Sequence, residues 1–148
     1  MVVTLLDSSA VVAYLVNDDA LHKAAVQTIE SAMRVGTSLA ISAVTWSELL
    51  HGALLGYFPE NVLREFLEDF GIAVLAADLA VAEQAAVLQK GYRDSTRRRQ
   101  QAKLRTPDAL ILATSLSYPD AGAIIGGDAQ WTKVPGLKAD IILLEPTK

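Results

Sequence analysis

Hydrophobic and polar positions along this chain switch between two periods. Val2 to Leu6 is a short apolar run broken only by Thr4, the pattern of a strand covered on both faces. Ser8 and Ser9 can cap a helix that runs to about Val16. Asp18 and Asp19 then open a second helix to about Arg34, with Leu21, Ala25, Ile29 and Ala32 on one face. Gly36 breaks it, Leu39 to Ser42 reads as strand two, and Ala43 to Leu55 as the helix after it. Pro59 opens a further helix with Val62, Leu63, Phe66 and Phe70 as its stripe. Gly71 ends that helix, and Ile72 to Leu75 is strand three. A long helix is expected from about Asp78 to the Arg97–Arg99 region. Thr106-Pro107-Asp108 has the order of a helix start, with Thr as N-cap, Pro in the first turn and an acid at the positive end of the dipole; this helix runs to about Ser117. Ala121 to Gly126 is strand four, Ile141 to Leu144 strand five, and the polar stretch from Asp128 to Asp140 a loop. Strands alternating with helices predict an α/β fold with a mostly parallel sheet.

The length of 148 residues with 51% hydrophobic content fits one domain, 1–148, with a substantial core. No cysteine is present, which excludes disulfides, thiol catalysis and Cys-ligated metal sites. The apolar N-terminal runs have no preceding Lys or Arg and are interrupted by Asp7. They make a poor signal peptide and are too short for a membrane span, so a soluble, cytoplasmic protein with no membrane partner is expected. The net charge of −4 argues against a simple basic nucleic-acid coat protein.

Four acids sharpen that picture. In parallel sheets, ligands collect outside the carboxyl ends of the strands. Asp7 directly follows strand one, and Asp128 follows strand four after Gly126-Gly127. Glu48 lies on the helix after strand two, where Val44, Trp46, Leu49 and Leu50 suggest buried surroundings. Asp108 is in the first turn of its helix. Taken singly, Asp7 reads equally as a helix cap, Asp128 as a turn residue and Asp108 as an acid at a helix dipole. Taken together, four carboxylates at one sheet end repel each other. A hard divalent cation, Mg²⁺ or Mn²⁺, relieves that conflict with oxygen ligands. Arg93, Arg97, Arg98, Arg99, Lys103 and Arg105 gather six of the 13 cations just upstream of Asp108; they form either a solvated face or a patch that tracks RNA phosphates. Glu48 and His51 have the Glu-x-x-His spacing of di-iron bundles, but only one copy occurs. Trp46 and Trp131 read as core residues and His22 as an exposed helix residue.

The segments LLDSSAVVAYL, ISAVTWSELLHGA, TPDALILATSL and IIGGDAQWTKVPGL resemble the PIN-domain ribonucleases, most closely VapC toxins of VapBC-type toxin–antitoxin systems. The resemblance runs in order through nearly the whole chain. It implies a three-layer α/β/α sandwich around a five-stranded sheet, and a Mg²⁺- or Mn²⁺-dependent endoribonuclease in which metal-activated water cleaves RNA to leave a 3′-hydroxyl and a 5′-phosphate. It assigns Asp7, Glu48 and Asp108 as core acidic ligands, Asp128 as the fourth acid and Ser8 as the supporting hydroxyl. It also implies a VapB-like antitoxin as inhibitor, and a homodimer. Val11, Val12, Leu15, Leu50, Leu54 and Leu55 are candidates for an antitoxin groove. Two positions depart from the family pattern: Gly126 stands where Thr or Ser is common, and Gln130 where a second acid is common. Trp131 replaces a usual Phe. The alternatives are a PIN-fold nuclease acting outside toxin–antitoxin systems, and a catalytically weak PIN binding module.

Overall fold

A computed structural model describes residues 2–96 and 103–147. The chain runs β1 (Val3–Leu6), α1 (Ser8–Leu15), α2 (His22–Arg34), β2 (Ser38–Ser42), α3 (Ala43–Leu54), α4 (Glu60–Asp69), β3 (Ala73–Leu75), α5 (Leu79–Ser95), α6 (Thr106–Ser117), β4 (Ala121–Ile125), a short 3-10 helix (Ala129–Lys133) and β5 (Asp140–Ile142). The five strands form one sheet in the order β3-β2-β1-β4-β5. Every pairing is parallel, so the sheet is fully rather than mostly parallel.

Strand side chains alternate between two helical layers. Leu5, Ala40 and Ile124 face a core built with α5 and α6 through Val81, Ala85, Leu88 and Leu112. Leu6, Leu39, Ile41 and Ile125 face the opposite core, with Ala10, Val11, Ile29, Leu49, Leu63 and Phe66 from α1 to α4. A strand covered on both sides has no solvent-facing side, which is why Val3 to Leu6 is apolar except for the buried Thr4. No helix among the described residues is long and apolar enough to cross a membrane.

Several boundaries differ from those expected. Helix α2 begins at His22, not Asp18 or Asp19, because Asp19 folds into a turn. Its carboxylate accepts from Leu21 N at 2.8 Å and its carbonyl from His22 N at 3.0 Å. His22 is half-buried rather than exposed, and its Nδ1–H donates to the Ala13 carbonyl at 2.9 Å, tying α2 to α1. Strand β5 starts at Asp140 and stops at Ile142, because its partner β4 ends at Ile125, opposite Ile142. The expected loop from Asp128 to Asp140 contains the 3-10 helix.

The chain leaves β1 toward β2 and β3, then returns to β1's other side as β4. The direction of winding therefore reverses between β1 and β4, which opens a crevice beyond their carboxyl ends.

Candidate active site

Asp7 and Asp128 flank this crevice. Asp7 continues the β1–β4 ladder, its N–H donating to the Ile125 carbonyl at 2.9 Å. It is also the N-cap of α1, replacing the expected serine caps. Its buried carboxylate accepts from Ser9 N at 3.2 Å and from the Ser9 hydroxyl at 2.7 Å. Ser9 Oγ accepts in turn from Gly127 N at 3.1 Å, so this hydroxyl joins the first acid to the loop after β4. The role of Ser9 was not evident from sequence; its signal was a second hydroxyl two residues past the acid, the spacing of an Asx-type cap.

Ser8, the expected supporting hydroxyl, favours the ionised form of Glu48. Helix α3 starts without a loop where β2 ends: Ser42 closes the strand and caps the helix, accepting from Thr45 N at 3.0 Å. Thr45 and Leu49 take the inward face of α3. Glu48 stands on its exposed rim, which corrects the expectation of buried surroundings. Helix α3 also touches α6, and α6 carries Asp108 in its first turn. Thr106 is not the cap of α6. Arg105 holds that position, and the Thr106 hydroxyl is taken by Gln89 Nε2 at 3.2 Å. Asp128 is exposed and caps the 3-10 helix, accepting from Gln130 N at 2.9 Å.

The charges of the four acids are linked through Asp7 and Asp108. Partial burial raises the Glu48 carboxyl above its ordinary range; Asp7 and Asp108 push it further, while Ser8 and Arg105 oppose the rise. Partial burial likewise raises Asp108, with Asp7 and Asp128 adding to the effect and Arg105 opposing it. The Trp131 indole N–H is buried and makes no well-formed hydrogen bond, yet it stands close enough to favour the ionised form of Asp108.

Gly126 has a steric cause. A Cβ there would come within 2.9 Å of Ser9 Oγ, 3.0 Å of Ala10 Cβ and 3.2 Å of Asp7 Cβ. The space a Thr or Ser would fill is already held by Ser9.

Among the described residues no three acids or histidines form a ready-made metal cage. The donor chemistry fits a hard dication all the same. Every candidate ligand is a carboxylate oxygen, and two of the acids bind protons more tightly because of partial burial and, after it, their acidic neighbours. Of the basic run, Arg93, Lys103 and Arg105 are exposed; Arg97, Arg98 and Arg99 lie outside the described residues. Beside Ser8 and Glu48 opens a cleft of about 410 Å³ lined by Val12, Val16, Leu49, Leu55, Tyr57 and Phe58. Of the expected groove residues, Val11 is fully buried in the core, whereas Leu54 and Leu55 are exposed.

The PIN domain family model matches residues 4–136. No curated protein matches the chain in sequence. Among solved structures, the chain resembles VapBC2 from Rickettsia felis bound to a DNA fragment of its promoter, with TM-score 0.74, 12% identity and coverage of 97% of this chain and 99% of that one. A toxin–antitoxin complex from Klebsiella pneumoniae aligns with TM-score 0.68 and 23% identity over 98% of both chains. Mycobacterium tuberculosis VapC20, a sarcin–ricin loop cleaving toxin, aligns with TM-score 0.64 and 14% identity over 90% of this chain and 95% of that one. At these identities the likeness is one of fold.

Proposed function

The chain belongs to the PIN domain family, and on that premise we propose that it is a metal-dependent endoribonuclease toxin restrained by a cognate antitoxin. The observation that carries this reading is the electrostatic linkage of Asp7, Glu48, Asp108 and Asp128 at the crevice beyond β1 and β4. Asp7 and Asp108 would hold a divalent cation, with Glu48 joining directly or through water and Asp128 orienting solvent. A bound Mg²⁺ or Mn²⁺ supplies Lewis-acid stabilisation of phosphate charge and lowers the pKa of water. Ser9 fixes the Asp7 carboxylate, so that acid is oriented before any ligand arrives. Ser8 steadies Glu48 in its charged form.

RNA as substrate and an antitoxin as partner are supported by the toxins and toxin–antitoxin complexes that share the fold. The apolar cleft ending at Ser8 and Glu48 suits an amphipathic segment whose polar end reaches the acids. A homodimer is part of the same reading, tested by light scattering.

The test is cleavage of total cellular RNA by purified protein in Mg²⁺ or Mn²⁺, beside EDTA and the variants Asp7→Asn and Asp108→Asn. The wild type should cut at defined sites and the others should not. Equal cleavage by wild type and variants would sink the assignment.

A further inference from the structure

Two glutamines from different elements hold the segment that leads into α6. Gln89 of α5 donates to the Leu104 carbonyl at 3.0 Å and to the Thr106 hydroxyl at 3.2 Å. Gln130 of the 3-10 helix donates to the Lys103 carbonyl at 3.1 Å. Leu104 is itself sunk in the core beside α5 and α6. These contacts fix the chain on both sides of Arg105. The Arg105 carbonyl then starts the helix, accepting from Ala109 N at 2.9 Å.

The backbone of Arg105 is therefore pinned, and its side chain lies at the surface. It is exposed and takes part in no ion pair among the described residues. As N-cap of α6 it stands three residues before Asp108, and its charge is felt by both Asp108 and Glu48. A planar guanidinium on a fixed backbone suits bidentate contact with phosphate. Immobilising the backbone in advance lowers the entropy lost on binding.

We propose that Arg105 grips an RNA phosphate next to the acids, and that Gln89 and Gln130 are positioning residues that hold it there. The inference rests on the ribonuclease reading and deepens it. It also explains Gln130 where related sequences often have an acid: an amide N–H can donate to the Lys103 carbonyl, whereas a carboxylate has no proton to give and would repel it.

Two measurements on the full chain test the idea. The first is binding of a short fluorescein-labelled single-stranded RNA in EDTA at several salt concentrations. Arg105→Ala should weaken binding about tenfold and lower the salt slope by about 0.7, the contribution of one phosphate contact. Arg105→Lys should keep the slope while losing part of the affinity. The second is Mn²⁺ affinity, read by electron paramagnetic resonance of the free ion. Here Arg105→Ala should bind severalfold more tightly, because a positive charge beside the acids is gone. A variant that is merely misfolded would lose both affinities, so the opposite signs are the signature. Gln130→Ala and Gln130→Glu should weaken RNA binding with Arg105 still present, and Gln89→Ala should act in the same direction. An unchanged salt slope or an unchanged Mn²⁺ affinity in Arg105→Ala overturns the phosphate role. Wild-type RNA affinity in all three glutamine variants overturns the positioning role. The ribonuclease reading fails separately, if the protein binds RNA through Arg105 but never cuts it with Mg²⁺ or Mn²⁺.

Discussion

Substituting Gly127 by Ala should be among the most damaging single-methyl changes this chain can undergo. Gly127 has φ +87, and a Cβ there would press onto the Trp131 ring at Cε3 and lie 2.6 and 2.9 Å from Cζ3 and Cδ2. The ring cannot retreat easily, because Trp131 is 2% exposed and belongs to the core over α5 and α6. A left-handed alanine costs about 1–2 kcal/mol, and forcing a methyl into a close-packed core adds about 1–3 kcal/mol. The expected loss of about 2–5 kcal/mol is a large part of the roughly 5–15 kcal/mol that stabilises such a domain. Urea unfolding followed by circular dichroism measures it, with a fall in Tm of roughly 5–15 °C as the thermal counterpart. Gly36→Ala is the control. Gly36 has a similar φ of +83, but nothing lies within 4 Å of an added Cβ, so only the backbone share should appear. If the two variants lose equal stability, the contact between Gly127 and Trp131 is not as tight as described, and the steric reasoning is refuted.

Ser9→Ala removes the hydroxyl between Asp7 and Gly127 and should cost about 1 kcal/mol in urea unfolding; a neutral result would mean that water substitutes fully. The raised carboxyls of Glu48 and Asp108 give a pH dependence of definite sign. Each binds its proton more tightly folded than unfolded, so in EDTA stability should fall as pH rises through the window just above the ordinary carboxylate range. Asp108→Asn should flatten that slope and Mn²⁺ should offset the loss; a slope identical in wild type and variant would refute the linkage. Trp131→Phe keeps an aromatic ring but removes the indole N–H near Asp108, and should weaken Mn²⁺ binding by about twofold to threefold if Asp108 is a ligand, less than a well-formed hydrogen bond would. Unchanged Mn²⁺ affinity would mean that this N–H does not support the acid.

The parts of the fold that could be read from sequence were those set by burial. Leu5, Leu6, Leu39 and Ile41 are apolar because helices cover the central strands on both faces, and the alternation with helical stripes follows from parallel crossovers. What could not be read was local competition for the same backbone groups. Asp18 and Asp19 look like helix starters, yet Asp19 closes a turn before His22. Thr106 looks like a cap, yet a glutamine seventeen positions earlier captures its hydroxyl. The positions of Asp7 and Asp128 at the crevice follow from strand ends, which sequence marks well. The proximity of Glu48 and Asp108 depends on α3 meeting α6, a contact between helices far apart in the chain. The division of labour between Ser8 and Ser9 was equally hidden, because adjacent hydroxyls at a helix start differ only in the direction they face.

The place of β1 in the middle of the sheet has a consequence for biosynthesis. Its partner β2 is available early, but β4 emerges only after most of the chain has been made. Asp7 is hydrogen-bonded to Ile125 and is linked through Ser9 to Gly127, so the crevice closes only when this most distant pairing zips up. Pairings of such long range form late, because loop closure must precede any gain from contact. A growing polypeptide on the ribosome therefore carries all but one of the four acids without the geometry that unites them. The complete cluster is a property of the folded chain, assembled only once β4 and the Asp128 turn behind it have been made.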